Sequence, residues 1–520
     1  MDRDFPPVPL SRRAFLRAIL AGTSTALLAA CGGGAPAAPG ATDASVAAAP
    51  TTAAAPTTAA EPTAAAPTAG AAAPTAAASA PTAGAAAPAP TNTPMALPEG
   101  SAGKLTVIHR TEYFEAPQQM FRSTVEQFAK AKGIQLDIST ANPEAFGDFI
   151  AKMQAAVQAG NPPDLAYHTL SVQQMQFVDI VDDVTDVVEE AIGKYGAVVP
   201  YTAEAQAKID GKWYAVPFRS QADAWFARKD IFSAAGIDVN QLKTLNDFRE
   251  ACLKVSDPSK QIWGWGLTLN KSGDGHTNIT NIIQNFGGRF VDATGTKVTL
   301  NSPETVAAVT WMKETYTDPK YKPMLPPGIE SWTDPSNNEA FLAGKIAFTY
   351  NAFTLYGKAK KDNNPIFPNI AALRKPVTND GTQRLEAGAS GWLSIFKGAQ
   401  NVDLAKQTIL ELLDPKNFMP MVKEGGGLFL PAYTNLWTDD ILNLDPNYAT
   451  LKEIIFNKAN YTGQAYPAAP NPAIANIDAQ AITSQMMTNV LNGSMTPEQA
   501  VEDAHKKIVL IFEEFGLSQS

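Results

Sequence analysis

The sequence predicts an α/β protein of two lobes, each a mainly parallel sheet flanked by helices. Strand-like and helix-like segments alternate from residue 104 to residue 168, which is typical of a parallel sheet with helices on its faces. About 415 residues follow the low-complexity N-terminal part, and that is more than one compact core usually holds. The folded part is therefore expected to divide in two.

Hydrophobic periodicity predicts the first five elements. Apolar residues at every second position indicate strands, and apolar residues four apart, such as Phe121 and Val125, indicate helices. Ligands of such sheets bind beyond the carboxyl ends of the strands, so the loops that begin at His109, Ser139 and His168 are candidate ligand loops. The predicted order is strand 104–109, helix 121–133, strand 134–138, helix 149–160 and strand 163–168.

The last predicted element is a capped amphipathic helix. Thr496 is the expected N-cap, Pro497 occupies the first helical position, and Gln499 completes a capping box. Apolar residues then recur on one face until Gly516, which is expected to end the helix.

Charge and cysteine content exclude several classes of protein. The chain has 41 basic and 51 acidic side chains, a formal net charge of −10, which argues against a protein that grips nucleic-acid phosphates. Only Cys31 and Cys252 are present, so a disulfide framework, a cysteine-based zinc site and a cysteine-held iron–sulfur cluster are excluded. Cys252 lies in a helical pattern and is expected to be a small core residue.

Residues 1–31 have the pattern of a signal peptide. A doubly basic segment around Arg12 and Arg13 precedes an apolar run of about 13 residues, which is too short to span a membrane. The paired arginines resemble the twin-arginine export signal, and the segment 28–31 resembles the lipobox of bacterial lipoproteins. That resemblance implies lipidation at Cys31, which would hold the chain on the extracytoplasmic face of the cell membrane.

Residues 32–103 are expected to form a disordered tether. This stretch repeats Ala, Pro and Thr, has no aromatic residue and cannot bury enough apolar area to offset the entropy cost of ordering it. Frequent prolines exclude a long helix. A flexible chain of this length spans roughly 45 Å, which is enough to hold a folded domain away from a membrane.

The folded part resembles a known family in several blocks. The segment 210–218, Asp-Gly-Lys-Trp-Tyr-Ala-Val-Pro-Phe, is similar to the extracellular solute-binding proteins of bacterial ABC importers, the family that includes maltose-binding protein. Two positions differ from the usual pattern, since Arg228 replaces an asparagine and Leu245 replaces a tryptophan. Further similar blocks, in the order of the family, are 225–237, 244–248, 285–288, 341–348 and 388–395.

The resemblance implies a two-lobe periplasmic-binding-protein-like fold of type II with the ligand between the lobes. On that basis the chain is expected to cross between lobes near 218–225, 348–353 and 393–397. The implied division is 104–218 plus 350–393 for lobe 1, and 219–349 plus 394–520 for lobe 2.

The candidate ligand residues are aromatic and polar side chains near the expected cleft. A neutral sugar is held by flat aromatic faces and by polar groups that pair with its hydroxyls. Gln221 aligns with a carboxylate position of the maltose binder, so a maltose-like hydroxyl pattern is not implied, and Asp223 is a possible substitute. The candidates are Arg110, Glu112, Tyr113, Tyr167, His168, Gln221, Asp223, Trp225, His276, Trp332, Asn351, Phe353, Ser390 and Trp392.

The resulting hypothesis is a monomeric, membrane-anchored binder of a mono- or oligosaccharide that serves the permease subunits of an ABC importer. Closure of two lobes on the solute would favour the form that the importer recognises. No cofactor, metal or nucleic-acid partner is expected, and the chain is not expected to be an enzyme. Two alternatives stay open: the same fold with a polyamine, phosphorylated polyol or peptide, and a secreted glycoside-active enzyme, since a spatial carboxylate pair cannot be read from a sequence.

Overall fold

The computed structural model describes residues 98–141, 149–459, 461–517 and 519. The predicted signal peptide, its lipidation site Cys31 and the tether up to residue 97 lie outside the described residues. Within the part that is described, no helix is both long enough and apolar enough to cross a bilayer.

The described strands form two main sheets and one two-stranded ribbon. Sheet 1 has the order β11-β6-β10-β3-β1-β2, sheet 2 has the order β8-β7-β9, and β4 pairs with β5. The strands are β1 (Lys104–Arg110), β2 (Gln135–Ala141), β3 (Leu165–His168), β4 (Lys208–Ile209), β5 (Lys212–Trp213), β6 (Val216–Gln221), β7 (Asp223–Arg228), β8 (Phe348–Ala352), β9 (Ile370–Leu373), β10 (Ala389–Ile395) and β11 (Leu430–Pro431).

Helices connect and cover both sheets. The α-helices are α1 (Glu115–Lys132), α2 (Phe149–Ala159), α3 (Val172–Phe177), α4 (Thr185–Tyr195), α5 (Thr202–Ala207), α6 (Lys229–Ala234), α7 (Leu245–Val255), α8 (Gly273–Asn285), α9 (Pro303–Thr317), α10 (Asp334–Leu342), α11 (Thr354–Lys361), α12 (Val402–Leu413), α13 (Pro415–Glu424), α14 (Asp439–Leu442), α15 (Tyr448–Ile455), α16 (Pro472–Ala479), α17 (Ile482–Leu491) and α18 (Pro497–Glu514).

The predicted α/β alternation is confirmed in the first five elements. Strands β1, β2 and β3 are parallel, with β1 between its two partners, and α1 and α2 connect them. The remaining pairs of sheet 1 and all pairs of sheet 2 are antiparallel. The mainly parallel arrangement expected in each lobe therefore holds only for β2-β1-β3.

The chain passes from sheet 1 to sheet 2 within one residue. Strand β6 ends at Gln221 and β7 begins at Asp223, so Ala222 alone separates strands of different sheets. This transition lies inside the range 218–225 that the resemblance implied. We call residues 221–223 the hinge.

The other strands lie differently from the implied lobe boundaries. Strands β8 and β9 both pair with β7, so these parts of 350–393 belong to sheet 2 rather than to the first lobe. Strand β11 joins sheet 1, and α12 and α13 pack against α1, so this part of 394–520 lies with the first sheet. These positions depend on pairing between strands that are distant in sequence, which local patterns do not determine.

The helix boundaries agree with the capping signals. Helix α18 has Thr496 as N-cap in a capping box with Gln499, and it packs against α17 and α9. Helix α7 begins with a second capping box, and Cys252 is buried on its inner face, as expected for a core residue.

Candidate functional site

Sheet 1 carries a buried polar network that leads to the hinge. The phenol of Tyr167 on β3 donates to Glu112 Oε1 at 2.7 Å and accepts from Arg219 Nε at 2.6 Å. Arg219, on β6, also donates through Nη1 to Gln221 Oε1 at 2.7 Å. Arg110 forms an ion pair with Glu112 at 3.2 Å, and the Glu112 side chain is only 7% exposed. One connected network thus links the loop after β1 to the hinge.

A glycine on the neighbouring strand makes room for this network. A Cβ at Gly391 would lie 3.0 Å from Cγ of Arg219 and 3.1 Å from Cε2 of Tyr167. The register of β10 against β6 shifts between Gly391 and Trp392, which marks a β-bulge at this point. Burial raises the pKa of Tyr167, so its phenol stays protonated and keeps its role as donor to Glu112.

Sheet 2 carries a second polar cluster immediately after the hinge. Tyr350 on β8 donates its phenol hydrogen to Asp223 Oδ2 at 3.2 Å. The ammonium group of Lys375, which follows β9, donates to Asn281 Oδ1 at 2.8 Å and lies 5.3 and 4.9 Å from the ring centres of Tyr350 and Tyr461. Burial lowers the pKa of Lys375 to about 8, although the nearby Asp223 and Glu386 oppose that shift.

A third group of side chains surrounds the start of α8. Asp274 Oδ2 accepts from Asn337 Nδ2 at 2.7 Å and from Asn351 Nδ2 at 3.1 Å. Burial raises the pKa of Asp274 to about 7, and the negative charges of Asp334 and Asp223 add to the effect. The carboxyl group therefore titrates near neutrality and can act as donor or acceptor.

The three groups interact electrostatically across the hinge. The charge of Asp223 influences the pKa of Arg219 on one side and that of Asp274 on the other. Their side chains offer amide, carboxyl, phenol and guanidinium groups in one region where the chain passes between the sheets. Such a set can bind the hydroxyls of a neutral molecule from both sides. Among the described residues, no group of three or more His, Cys, Asp or Glu side chains is placed to hold a metal ion.

The family assignment follows from a match over more than half of the chain. Residues 110–417 match the model of the bacterial extracellular solute-binding protein family. The chain belongs to this family. A binding protein of Brucella abortus is 23% identical over 301 residues, which cover 58% of this chain and 68% of that protein.

Solved structures of ABC-transporter solute-binding proteins share the fold of this family member. A protein of Thermotoga lettingae with bound α-D-tagatose is 18% identical, with a TM-score of 0.65 over 79% of this chain and 100% of that chain. A protein of Agrobacterium vitis with bound D-mannitol is 19% identical, with a TM-score of 0.64 over 79% of this chain and 99% of that chain. The two-lobe α/β fold predicted from the sequence is thereby confirmed.

Several predicted site residues of the solute-binding protein lie together at the hinge. Arg110, Glu112, Tyr167 and Gln221 belong to the network of sheet 1. Asp223 belongs to the cluster of sheet 2, and Asn351 contacts Asp274. Ser390 faces Ser220 in the register of β10 and β6, and its buried hydroxyl has no hydrogen-bond partner. Their role in binding stays a prediction.

Other predicted site residues of the solute-binding protein have different surroundings. Phe353 and Trp392 are buried in the core, and His168 is buried with its ring bonded to Ser394 Oγ at 2.9 Å. Burial lowers the pKa of His168 to about 3, so this ring is neutral at physiological pH. His276 contacts Gln464 and Thr483 in the C-terminal part of the chain. These four side chains are occupied by packing or by hydrogen bonds within the protein, and their role in binding stays a prediction.

The remaining aromatic candidates are intermediate cases. Trp225 is 2% exposed and packs against Phe248, Phe348 and Tyr350, so it is mainly a core residue. Trp332 is half-buried and packs against two hydrophobic clusters, one that includes Trp225 and Phe248 and one that includes Tyr167 and Phe218. Tyr113 is 48% exposed in the loop after β1 and is free to contact a solute.

Sequence reasoning missed five residues of the site. Arg219 could have been predicted, because Arg219 and Gln221 are two positions apart on one strand and so share a face. The others depend on contacts between distant segments, which no local pattern reveals. The missed residues are Arg219, Asp274, Asn281, Tyr350 and Lys375.

Proposed function

We propose that this solute-binding protein captures a neutral, hydroxyl-rich small molecule, a sugar or polyol, between its two lobes and delivers it to the permease of an ABC importer. The observation that carries the proposal is the polar network on each side of the hinge. Sheet 1 contributes Arg219 with Tyr167 and Glu112, and sheet 2 contributes Asp223 with Tyr350.

The charges of the site support a neutral solute. The cationic groups Arg110, Arg219 and Lys375 lie among the carboxyl groups of Glu112, Asp223 and Asp274, with Asp334 and Glu386 nearby. A site that binds a multiply charged ligand usually carries an excess of the opposite charge. Here charged groups of both signs lie together, and they present many donors and acceptors, which suits hydroxyls.

The relatives support the same class of solute. The proteins from Thermotoga lettingae and Agrobacterium vitis hold a ketose and a sugar alcohol, respectively. Contacts made by both lobes exist only when the lobes are close together, so a solute that makes them favours the closed form. The solute leaves unchanged, and no catalytic step is required.

A thermal-shift screen of the full-length chain tests this proposal. The sugar and polyol probes are D-tagatose, D-mannitol, ribitol, maltose and maltotriose, and the other probes are spermidine, glycerol 3-phosphate and a tripeptide. A bound probe at 100 times its Kd stabilises the folded state by about 2.7 kcal/mol, which raises Tm measurably. A rise in Tm with spermidine, the phosphate or the peptide alone would overturn the carbohydrate proposal.

The proposed place of the protein is the outer face of the cell membrane, with a lipid anchor on Cys31. Two or three acyl chains bind a bilayer firmly because each buried methylene contributes about 0.8 kcal/mol. Replacing Cys31 with serine should release the protein from the membrane fraction. The matched control is Cys252→Ser, since Cys252 is buried in the folded part and its loss should leave the protein in the membrane fraction.

A further inference from the structure

A small cavity lies next to the polar cluster of sheet 2. It is bounded by Trp225 of β7, by Asn281 and Asn285 of α8, and by Lys375 and Tyr461. Its open space has the size of one water molecule or one hydroxyl group, not of a sugar ring. Lys375 and Asn281 line the cavity and also belong to the cluster around Tyr350, so the cavity adjoins the proposed solute site.

Three side chains of the cavity wall carry buried polar atoms without a hydrogen-bond partner. These atoms are Nε1 of Trp225, Nδ2 of Asn281 and Oδ1 of Asn285. Buried polar atoms are rarely left unpaired, because each one has given up its bonds to water. Three such atoms around one cavity indicate a missing partner.

The hydrogen bonds of Asn281 and Asn285 show which atom of each side-chain amide is unpaired. Asn281 accepts through Oδ1 from Lys375 Nζ at 2.8 Å, so its nitrogen is the unpaired atom. Asn285 donates through Nδ2 to the carbonyl oxygen of Val377 at 2.9 Å, so its oxygen is the unpaired atom. The unpaired atoms on these three cavity-lining side chains are therefore two donors, from Trp225 and Asn281, and one acceptor, from Asn285.

We propose that this cavity is a pocket for one hydroxyl group of the bound solute. A hydroxyl oxygen accepts from both donors while its hydrogen is donated to Asn285 Oδ1. An ionised carboxylate or phosphate oxygen has no hydrogen to donate to Asn285 Oδ1. An ammonium group cannot accept a hydrogen bond from Trp225 Nε1. The pocket rests on the proposed function and deepens it, since it selects solutes that place a hydroxyl beside Lys375.

The variant Trp225→Phe tests the pocket by removing the indole N–H. The matched control is Trp437→Phe, which also removes a buried indole N–H, but one that already donates to the Pro431 carbonyl oxygen at 2.9 Å. Solute affinity is measured by calorimetry on the full-length chain with the sugar and polyol probes given above. We expect Trp225→Phe to weaken binding about 10-fold and to lower Tm less than the control does. We expect Trp437→Phe to lower Tm and to leave affinity unchanged.

A crystal structure of the unaltered protein with its bound probe gives a second test, independent of any variant. A solute hydroxyl within 3.2 Å of Trp225 Nε1 supports the pocket, since that is hydrogen-bond distance. A water molecule there with the solute elsewhere, or equal affinities of Trp225→Phe and the unaltered protein, overturns the pocket while the proposed function stands. Failure of every sugar and polyol to bind the unaltered protein overturns the proposed function and the pocket with it.

Discussion

At the scale of single residues, Gly391 is the position on which the network of sheet 1 most depends. A methyl group there would come within 3.1 Å of both Arg219 and Tyr167. Gly391→Ala should therefore displace this pair, lower the free energy of unfolding by about 1 to 3 kcal/mol and weaken solute binding. Urea denaturation and calorimetry measure the two effects.

The control for that variant is a glycine with free space around it. Gly193 lies in α4, is exposed, and a Cβ there would have no neighbour within 4 Å. Gly193→Ala should stabilise the protein by about 0.5 to 1 kcal/mol and leave affinity unchanged. Equal effects of the two variants would show that Gly391 has no special role.

Asp274 should make stability depend on pH. Burial first, and then the charges of Asp334 and Asp223, raise its pKa from 3.8 to about 7, so between these values the folded state holds a proton that the unfolded state has lost. The contribution of this group to the free energy of unfolding is full below about pH 4 and falls as pH rises through about 7. Asp274→Asn should remove this part of the slope.

Unfolding by urea at several pH values checks the prediction. The difference in stability between Asp274→Asn and the unaltered protein should shift in favour of the variant as pH increases from 4 to 8. Asp334→Asn removes only the neighbouring charge and should reduce the slope partially. Parallel curves for all three proteins would contradict the raised pKa.

The residues of the site could be predicted from the sequence only in part. Glu112 was predicted because it lies in the loop after the first strand, and Asp223 because it lies two residues after Gln221 at a crossing that the family resemblance implied. Phe353 and Trp392 were expected as ligand contacts, but both are buried, because an aromatic residue beside a crossing strand packs in the core as readily as it faces a cleft. Lys375 and Asp274 were missed since their environment is formed by segments far away in the chain.

At the scale of elements, the capping signal predicted the start of the last helix, whereas the helix predicted over 121–133 begins six residues earlier, at Glu115. The capping box of Thr496 and Gln499 is present, and α18 packs against α17 and α9. Thr496→Ala should lower the free energy of unfolding by about 1 kcal/mol, because a backbone N–H of the first turn loses its acceptor. The measurement is the urea concentration at the midpoint of the unfolding transition in which this helix unfolds.

Thr496→Ser is the matched control for the cap. Serine keeps the hydroxyl that accepts from Gln499 N, so its midpoint should stay close to that of the unaltered protein. A loss of stability in the serine variant as large as in the alanine variant would show that the methyl group, and not the cap, matters.

Strand pairing shows the limit of such local signals. The alternation β1-α1-β2-α2-β3 could be predicted because each element has its own periodicity. The pairing of β8 and β9 with β7 could not, since more than a hundred residues separate β8 and β9 from β7. The predicted lobe boundaries differ from the sheets at these strands for that reason.

At the scale of the whole molecule, the hinge joins two sites that each hold half of the proposed contacts. The network around Tyr167 belongs to sheet 1, and the cluster around Tyr350 belongs to sheet 2. Only one residue, Ala222, separates the strands that carry Gln221 and Asp223. A change in the angle between the sheets therefore moves the two halves of the site relative to each other, and solute binding is expected to depend on both.

Two matched phenol variants test this dependence. Tyr167→Phe removes the hydroxyl that bridges Arg219 and Glu112, and Tyr350→Phe removes the hydroxyl that donates to Asp223. Each change should weaken solute binding by about 1 kcal/mol, because each leaves a site carboxylate short of one donor. Calorimetry with the best-binding sugar or polyol measures the affinities.

Small-angle scattering measures the accompanying change of shape. Saturating solute should reduce the radius of gyration of the unaltered protein, and at a fixed, sub-saturating solute concentration both phenol variants should show a smaller reduction, because fewer molecules are closed. Tyr433→Phe is the control, since the buried hydroxyl of Tyr433 has no hydrogen-bond partner and its loss should change neither quantity. If only one of the two site variants weakened binding, or if the solute bound without any compaction, the solute would contact a single lobe. Closure would then have no source of free energy, because a ligand shifts such an equilibrium only by its difference in affinity for the two forms.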